Sequence, residues 1–140
     1  MSRHPSLPER YVILVDRDLP AGLATNAAAV LALTIGARFP HLPGADLLHA
    51  DGATHPGLIP MGLPVLATSA TECARVRTTA LAADVFVVDF PTLGQQTTDY
   101  DAFAHAVHAT PGSELSYLGV ALCGPAKTVR KLTGGLPLLR

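Results

Sequence analysis

The chain has 140 residues, of which 49% are hydrophobic and 15% charged, and its formal net charge is −1. This length predicts one domain, with a core that needs no disulfides or structural metal. The near-neutral charge excludes a surface coated in positive potential, although a local basic patch is compatible with it. The two cysteines, Cys73 and Cys123, have no paired spacing, so we expect reduced thiols in a cytoplasmic protein.

The N-terminal residues are polar, contain two prolines and lack the apolar region of a signal peptide. No apolar run reaches the roughly 20 residues that a membrane helix requires without a glycine or polar interruption. We therefore predict a flexible lead at residues 1–10, a single domain at residues 11–140 and no association with a membrane.

Apolar strands alternate with helices along the chain. Residues 11–15 form an apolar run with β-branched side chains, which predicts a buried strand. The alanine-rich segment 21–36 predicts a helix that ends at Gly36, and its lack of a polar face indicates burial on several sides. Residues 38–64 are interrupted by proline and glycine and contain at most a short strand at 45–49.

The rest of the chain continues this alternation. Strands are predicted at residues 64–67, 85–90 and 115–123, and helices at 70–82, 98–108 and 125–134. Ser69 and Glu72 have the spacing of a capping box, and Thr98 begins a similar pattern at the third helix. The second helix is expected to turn Cys73 toward the core and its arginines, Arg75 and Arg77, toward water. The pattern as a whole predicts an α/β layered domain.

The order of these motifs resembles that of type II peptidyl-tRNA hydrolases. The strand at 12–15, the Asp18-Leu19 turn and the alanine-rich helix resemble the opening of that family, and residues 124–136 resemble its closing segment. Asp89 resembles the aspartate of its third strand. The segments at 26–30 and 51–55, with the C-terminal Leu-Leu-Arg, resemble in particular DUF2000, a family of unknown function that is similar in fold to these hydrolases.

The resemblance implies a three-layer α/β/α fold with a mixed central sheet of about four strands and helices on both faces. It also implies a catalytic lysine, which this chain lacks. When the motifs are matched, Thr25 stands at that position, and a threonine supplies no cation to polarise an ester carbonyl.

Three residues are predicted to be catalytic: Asp89, Thr25 and Asn26. A carboxylate at the end of an apolar strand is expected to have a raised pKa and to act as a general base toward water. The alternative is a structural aspartate paired with a cation, for example Arg17. Thr25 and Asn26 lie at a helix N-terminus, which can hold a carbonyl oxygen or an anion, although ordinary capping is the alternative. This prediction requires Asn26 and Asp89 to share one pocket.

Five further residues are predicted to bind substrate: Asp18, Gly22, Gln95, Ser113 and Lys127. Lys127 shares its helix with Arg130 and Lys131, and this basic face is compatible with RNA phosphates or simply with solvent. Cys123 lies before a helix start, where a thiol pKa can be lowered, but a buried structural cysteine is the alternative.

Asp46, His49, Asp51 and His55 lie in the irregular segment, and such side chains can bind zinc. Their spacing matches no standard metal motif, so we predict neither a metal nor a cofactor.

Two functions fit the sequence. The first is a hydrolase of an ester or amide, acting on a tRNA-linked or small acylated substrate. The second is a non-catalytic protein that uses the same cleft for a small ligand or a protein partner. The missing lysine favours the second, and the aspartate and the polar pair favour the first. The apolar content of so small a chain also predicts a homodimer.

Overall fold

A computed structural model describes residues 7–95 and 97–140 of the chain, so residues 1–6 of the predicted lead lie outside the described residues. The elements, in chain order, are β1 (Arg10–Asp16), α1 (Ala21–Arg38), β2 (Leu47–Leu48), β3 (Thr54–His55), β4 (Val65–Thr68), α2 (Ala70–Ala82), β5 (Phe86–Pro91), α3 (Tyr100–His108), β6 (Tyr117–Gly124) and α4 (Ala126–Thr133). Two short 3-10 turns cover Thr92–Gln95 and Gly112–Glu114.

Four strands form the central sheet in the order β4-β1-β6-β5. β1 pairs with β4 in parallel and with β6 antiparallel, and β6 pairs antiparallel with β5. The expected mixed sheet of four strands is therefore confirmed. Since β1, β4 and β5 run in the same direction, their carboxyl ends lie at one edge of the sheet.

Helices cover both faces of this sheet, which makes three layers. The chain crosses from β1 to β4 through α1, and then crosses back past β1 to β5 through α2. Right-handed crossovers in opposite directions place their helices on opposite faces. One core cluster accordingly joins α1 to Ile13 and Ala121, and the other joins α2 and α4 to Leu14 and Val120.

α1 departs from its prediction in two ways. Gly36 does not end the helix, because it does not adopt the left-handed conformation of a terminating glycine. The helix continues to Arg38, and Phe39 donates its N–H to the carbonyl of Ile35. The helix is also buried on one side only. Its fully buried side chains are Ala24, Ala27, Leu31 and Ile35.

The start of α2 is confirmed, since the Ser69 hydroxyl accepts a hydrogen bond from the Glu72 N–H at 3.1 Å and Cys73 is buried. The predicted cap of α3 is one residue off. Asp99, rather than Thr98, accepts the hydrogen bond, from the N–H of Asp101. Adjacent capping residues compete for this role, so sequence spacing alone does not choose between them.

Both ends of the described chain are paired to the sheet. The N–H of Glu9 donates to the carbonyl of Gly124, so the sheet begins within the predicted lead. At the C-terminal end, Leu138 forms an antiparallel bridge with Leu66 of β4. The short strand predicted at 45–49 is β2, which pairs with β3 in a hairpin.

Candidate functional site

Asp89 lies on β5, on the face of the sheet that α2 covers. Side chains alternate along a strand, and Val88 and Phe90 pack into the α1-side core. Asp89 therefore points to the opposite face, level with Val120 of β6. On that face, the Asp89 carboxylate contacts a side chain of α2.

The partner of Asp89 is Arg77 rather than the expected Arg17. The Nε atom of Arg77 donates to Oδ2 of Asp89 at 2.7 Å, and both side chains are under one-third exposed, at 29% and 27%. The prediction that Arg77 faces water is therefore wrong, because α2 packs close enough to β5 for its long side chain to reach the carboxylate. The alternative of a salt-bridged aspartate is confirmed, with a different cation.

The guanidinium of Arg77 also contacts the aromatic ring of Tyr117. The guanidinium carbon of Arg77 lies 4.9 Å from the ring centroid of Tyr117, a cation–π distance. Burial is the largest cause that raises the pKa of the Tyr117 phenol. The nearby Arg77 cation opposes this rise, and the Asp89 carboxylate adds to it. The phenol thus keeps its proton at neutral pH and can donate a hydrogen bond.

Beside this pair, β5 and α3 border an open cleft of about 440 Å³, which we call the Asp89 cleft. Its lining residues are Asp89, Pro91, Tyr100, Phe103, Ala104, Val107 and His108. Phe103 and Val107, four residues apart on α3, both line this cleft. Aromatic and aliphatic walls with a few polar groups are typical of small-molecule sites.

The predicted oxygen-binding residues lie elsewhere. Asn26 is exposed on α1, across the sheet from Asp89, so the prediction that the two share one pocket is wrong. The hydroxyl of Thr25 donates to the carbonyl of Ala21 at 2.7 Å, within its own helix. The physical reason is the pair of opposite crossovers, which puts α1 and α2 on different faces.

The five predicted binding residues do not converge on the cleft, and each is exposed to solvent. Asp18 donates its N–H to the Asp16 carboxylate in the turn after β1, and Gly22 lies on the outward side of α1. Gln95 and Ser113 lie in the two 3-10 turns. Lys127 is on α4, which covers the same face of the sheet as Asp89.

The irregular segment brings together two of its four candidate metal ligands. The ring nitrogens of His49 and His55 lie 2.8 Å apart across the β2–β3 hairpin, while Asp46 accepts a hydrogen bond from the N–H of Gly57. Within residues 7–95 and 97–140, no group of three or more such side chains is placed to hold a metal ion.

A larger cavity of about 900 Å³ lies at the amino ends of the parallel strands, between the carboxyl-terminal ends of α1 and α2, and Cys123 is part of its wall. Burial raises the pKa of the Cys123 thiol to about 12, so the lowered pKa is wrong and the structural cysteine is confirmed. None of the predicted catalytic or binding residues lines this cavity. We therefore take the Asp89 cleft, at the carboxyl ends of the parallel strands, as the candidate site.

Sequence reasoning missed the roles of Arg77 and Tyr117. A lone carboxylate in an apolar strand was a signal that some cation must meet it, and Arg77 follows the buried Val76 directly. A hydrogen bond between Thr92 and Ser116 was missed too. Thr92 donates to the backbone carbonyl of Ser116 at 2.9 Å, where β5 ends beside β6. No local pattern links these two residues, which are 24 positions apart.

Comparison with known proteins identifies a solved structure with a similar fold and the family of this chain. A solved structure of a protein of unknown function from Agrobacterium tumefaciens strain C58 superposes with a TM-score of 0.83 at 20% sequence identity, over 92% of this chain and 96% of that one. Curated proteins gave no match. The family described as protein of unknown function (DUF2000) matches residues 9–140. The chain therefore belongs to the DUF2000 family.

Proposed function

We propose that this protein binds a small molecule in the Asp89 cleft without catalysing a reaction. The observation that carries the proposal is the bond between Asp89 and Arg77. The Nε atom of Arg77 donates a charge-assisted hydrogen bond to Oδ2 of Asp89 at 2.7 Å, so this oxygen already has a partner within the protein instead of a water that it could activate. The groups expected to hold a carbonyl oxygen beside it lie across the sheet. What is left on the Asp89 side is a shaped, partly apolar cleft with a fixed polar group.

The cleft walls specify the class of ligand. Phe103 and Val107 offer an apolar surface, and Tyr100 adds an exposed ring whose centroid lies 6.1 Å from that of Phe103. Arg77 occupies Oδ2 of Asp89, and a carboxylate has further acceptor sites on its other oxygen. A ligand with a flat apolar body and an N–H donor, such as a secondary amide, matches both features.

Titration with N-benzylacetamide, followed by amide NMR signals of the labelled protein, tests this proposal. We expect the signals of β5 and α3 to move, and Phe103→Ala to weaken binding by about tenfold because the apolar wall is lost. Leu81→Ala is the matched control, since Leu81 is exposed on α2 and does not line the cleft. Signals that move only outside β5 and α3, or equal affinity in wild type and Phe103→Ala, would refute the proposal.

Hydrolysis of an ester or amide is the second candidate, and one observation favours it. Asp89 and His108 approach the cleft from different elements and supply two ionisable groups. The resemblance to type II peptidyl-tRNA hydrolases supports the same site. For a tRNA-linked substrate, Lys127, Arg130 and Lys131 are exposed on the helix that covers the same face of the sheet.

A panel of aminoacyl, peptidyl and small acyl esters separates the two functions. If the protein is a hydrolase, Asp89→Asn lowers turnover while Asp101→Asn, on the exposed side of α3, leaves it unchanged. If it is a binding protein, wild type, Asp89→Asn and Asp101→Asn all show the uncatalysed rate of turnover, and the wild type binds N-benzylacetamide.

A further inference from the structure

The outward side of α1 exposes an apolar surface, which we call the α1 face. Leu33 is 77% exposed, and Leu23 and Val30, which precede it on the same helix, are 42% and 36% exposed. The helix contains no charged residue before Arg38, its last. A solvated helix face normally carries charged side chains, so this surface has the composition of an interface.

By length and composition, α1 also passes as a membrane-spanning helix. Its inward side, however, packs on the sheet through Leu31 and Ile35. A helix lying on a membrane surface carries Lys or Arg along its polar face. α1 instead follows the turn Asp16-Arg17-Asp18, whose two carboxylates and one guanidinium give a net charge of −1, and its single charged residue, Arg38, lies at its far end. These charges disfavour an anionic lipid surface.

The same charges fit a second copy of the chain. In an antiparallel arrangement, Arg38 at the end of one helix lies beside the Asp16–Asp18 turn of the other, at both ends of the pair. Antiparallel helices also align their dipoles favourably. We propose that the α1 face packs antiparallel against the α1 face of a second copy, forming a homodimer with twofold symmetry.

The area that a stable dimer interface requires indicates that residues outside α1 also contribute to it. An 18-residue helix is roughly 27 Å long, and a contact strip about 10 Å wide covers about 270 Å² of each copy. A stable interface needs about 800 Å² from each partner. The segment at residues 43–60 begins just after α1 and exposes Leu47, Leu48 and Leu58 at 55%, 68% and 74%. Antiparallel packing brings this segment beside the other helix, where it supplies the remaining area.

The symmetry axis passes near the centre of α1. Ala29 is exposed there, with Asn26 and Leu33 one turn to either side. Ala29 therefore faces its own copy, and its small side chain lets the backbones approach. A single polar residue such as Asn26 within an apolar helix pair lowers stability but fixes the register. This gives the amide, which has no role at the Asp89 cleft, a function of its own.

Sedimentation of the full chain tests the dimer. We expect a mass of twice the 14.5 kDa of one chain at about 50 µM, a concentration that populates a micromolar complex. Leu33→Glu should convert the protein to a folded monomer, because its exposed position leaves the fold intact while the carboxylate would be buried in the interface. Leu81→Glu is the matched control, since Leu81 is 51% exposed on the opposite layer and should remain dimeric.

A wild-type chain that sediments as a monomer at this concentration would overturn the proposal, as would a Leu33→Glu variant as dimeric as wild type. Flotation with vesicles of phosphatidylcholine and phosphatidylglycerol tests whether a lipid surface covers the α1 face instead. Monomeric protein that floats with the vesicles would overturn the dimer in favour of a lipid surface.

Oxidative cross-linking tests the orientation. Cys73 and Cys123 are buried, so an introduced surface thiol reports alone. In the antiparallel pair, Ala29→Cys forms an intersubunit disulfide. Position 33 is four residues from the centre, which leaves its two copies about 12 Å apart along the axis and too far to bridge. Equal cross-linking of Ala29→Cys and Leu33→Cys would refute the antiparallel arrangement.

Discussion

Replacing Arg77 by alanine tests whether its bond to Asp89 organises the candidate site. The substitution leaves a carboxylate that is 27% exposed without its cation, and it removes the guanidinium from the Tyr117 ring. A hydrogen bond between charged groups contributes about 1.5–3 kcal/mol, and a cation–π contact about 0.5–1 kcal/mol at an exposed site. The pair retains partial contact with water, which screens it. We therefore expect a loss of about 2 kcal/mol in the free energy of unfolding.

Arg75→Ala is the matched control, because Arg75 lies one position from Val76 on the other side, is 60% exposed and pairs with Glu72 of its own helix. Surface pairs of this kind contribute little, so no measurable change is expected. Urea unfolding followed by circular dichroism gives both values. A double-mutant cycle with Asp89→Asn should show coupling of at least about 1 kcal/mol. Equal costs for Arg77→Ala and Arg75→Ala would refute the organising role of the pair.

Three further predictions concern stability. Gly119→Ala should cost roughly 1–3 kcal/mol in urea unfolding, because its Cβ would lie 2.7 Å from the Leu14 carbonyl oxygen; a cost near zero would contradict the close packing of these strands. Asp84→Gly should instead stabilise the protein by about 0.5–1 kcal/mol, because Asp84, two residues after the end of α2, has a left-handed φ of 61° that glycine adopts without strain. A lower melting temperature would contradict this. Burial raises the pKa of the Cys73 and Cys123 thiols from about 9 to about 12. The unfolded chain therefore loses these protons at a pH where the folded chain keeps them, so stability is complete below pH 9 and falls by about 1.4 kcal/mol per pH unit per thiol toward pH 12, and a flat unfolding profile there would refute the assignment.

Local rules predicted the elements well, because each depends on neighbouring residues. Ser69 and Glu72 marked a helix start that the structure confirms to the residue. The continuous apolar runs marked all four strands of the sheet, and the alternation of strands and helices gave the fold class. The errors at Gly36 and Thr98 amount to one or two residues at helix ends, where competing capping groups decide the boundary.

The candidate site could not be predicted in the same way, because it depends on which face each helix covers. The face follows from the direction of each crossover, and that direction requires the strand order. The sequence shows that Asp89 ends one apolar strand and that Asn26 follows another, but not that β4 and β5 lie at opposite edges of the sheet. Arg77 was missed for the same reason. The spacing of Arg77 from Cys73 and Val76 places it beside the buried face of α2. That its partner is the Asp89 carboxylate becomes visible only when α2 is packed on β5.

The sheet that separates Asn26 from Asp89 also separates the two proposed surfaces, so ligand binding in the Asp89 cleft and dimerisation through the α1 face are independent proposals. The α1 face and the Asp89 cleft lie on opposite sides of a sheet whose central strands are buried from Tyr11 to Val15 and from Tyr117 to Gly124, and they share no residue. Changes at distant sites without common partners add within about 0.5 kcal/mol. Leu33→Glu should therefore leave N-benzylacetamide affinity unchanged, and Phe103→Ala should leave the sedimenting mass unchanged. If the monomeric variant lost the ligand, the cleft would depend on the second copy, and the cleft as drawn from one chain would be incomplete.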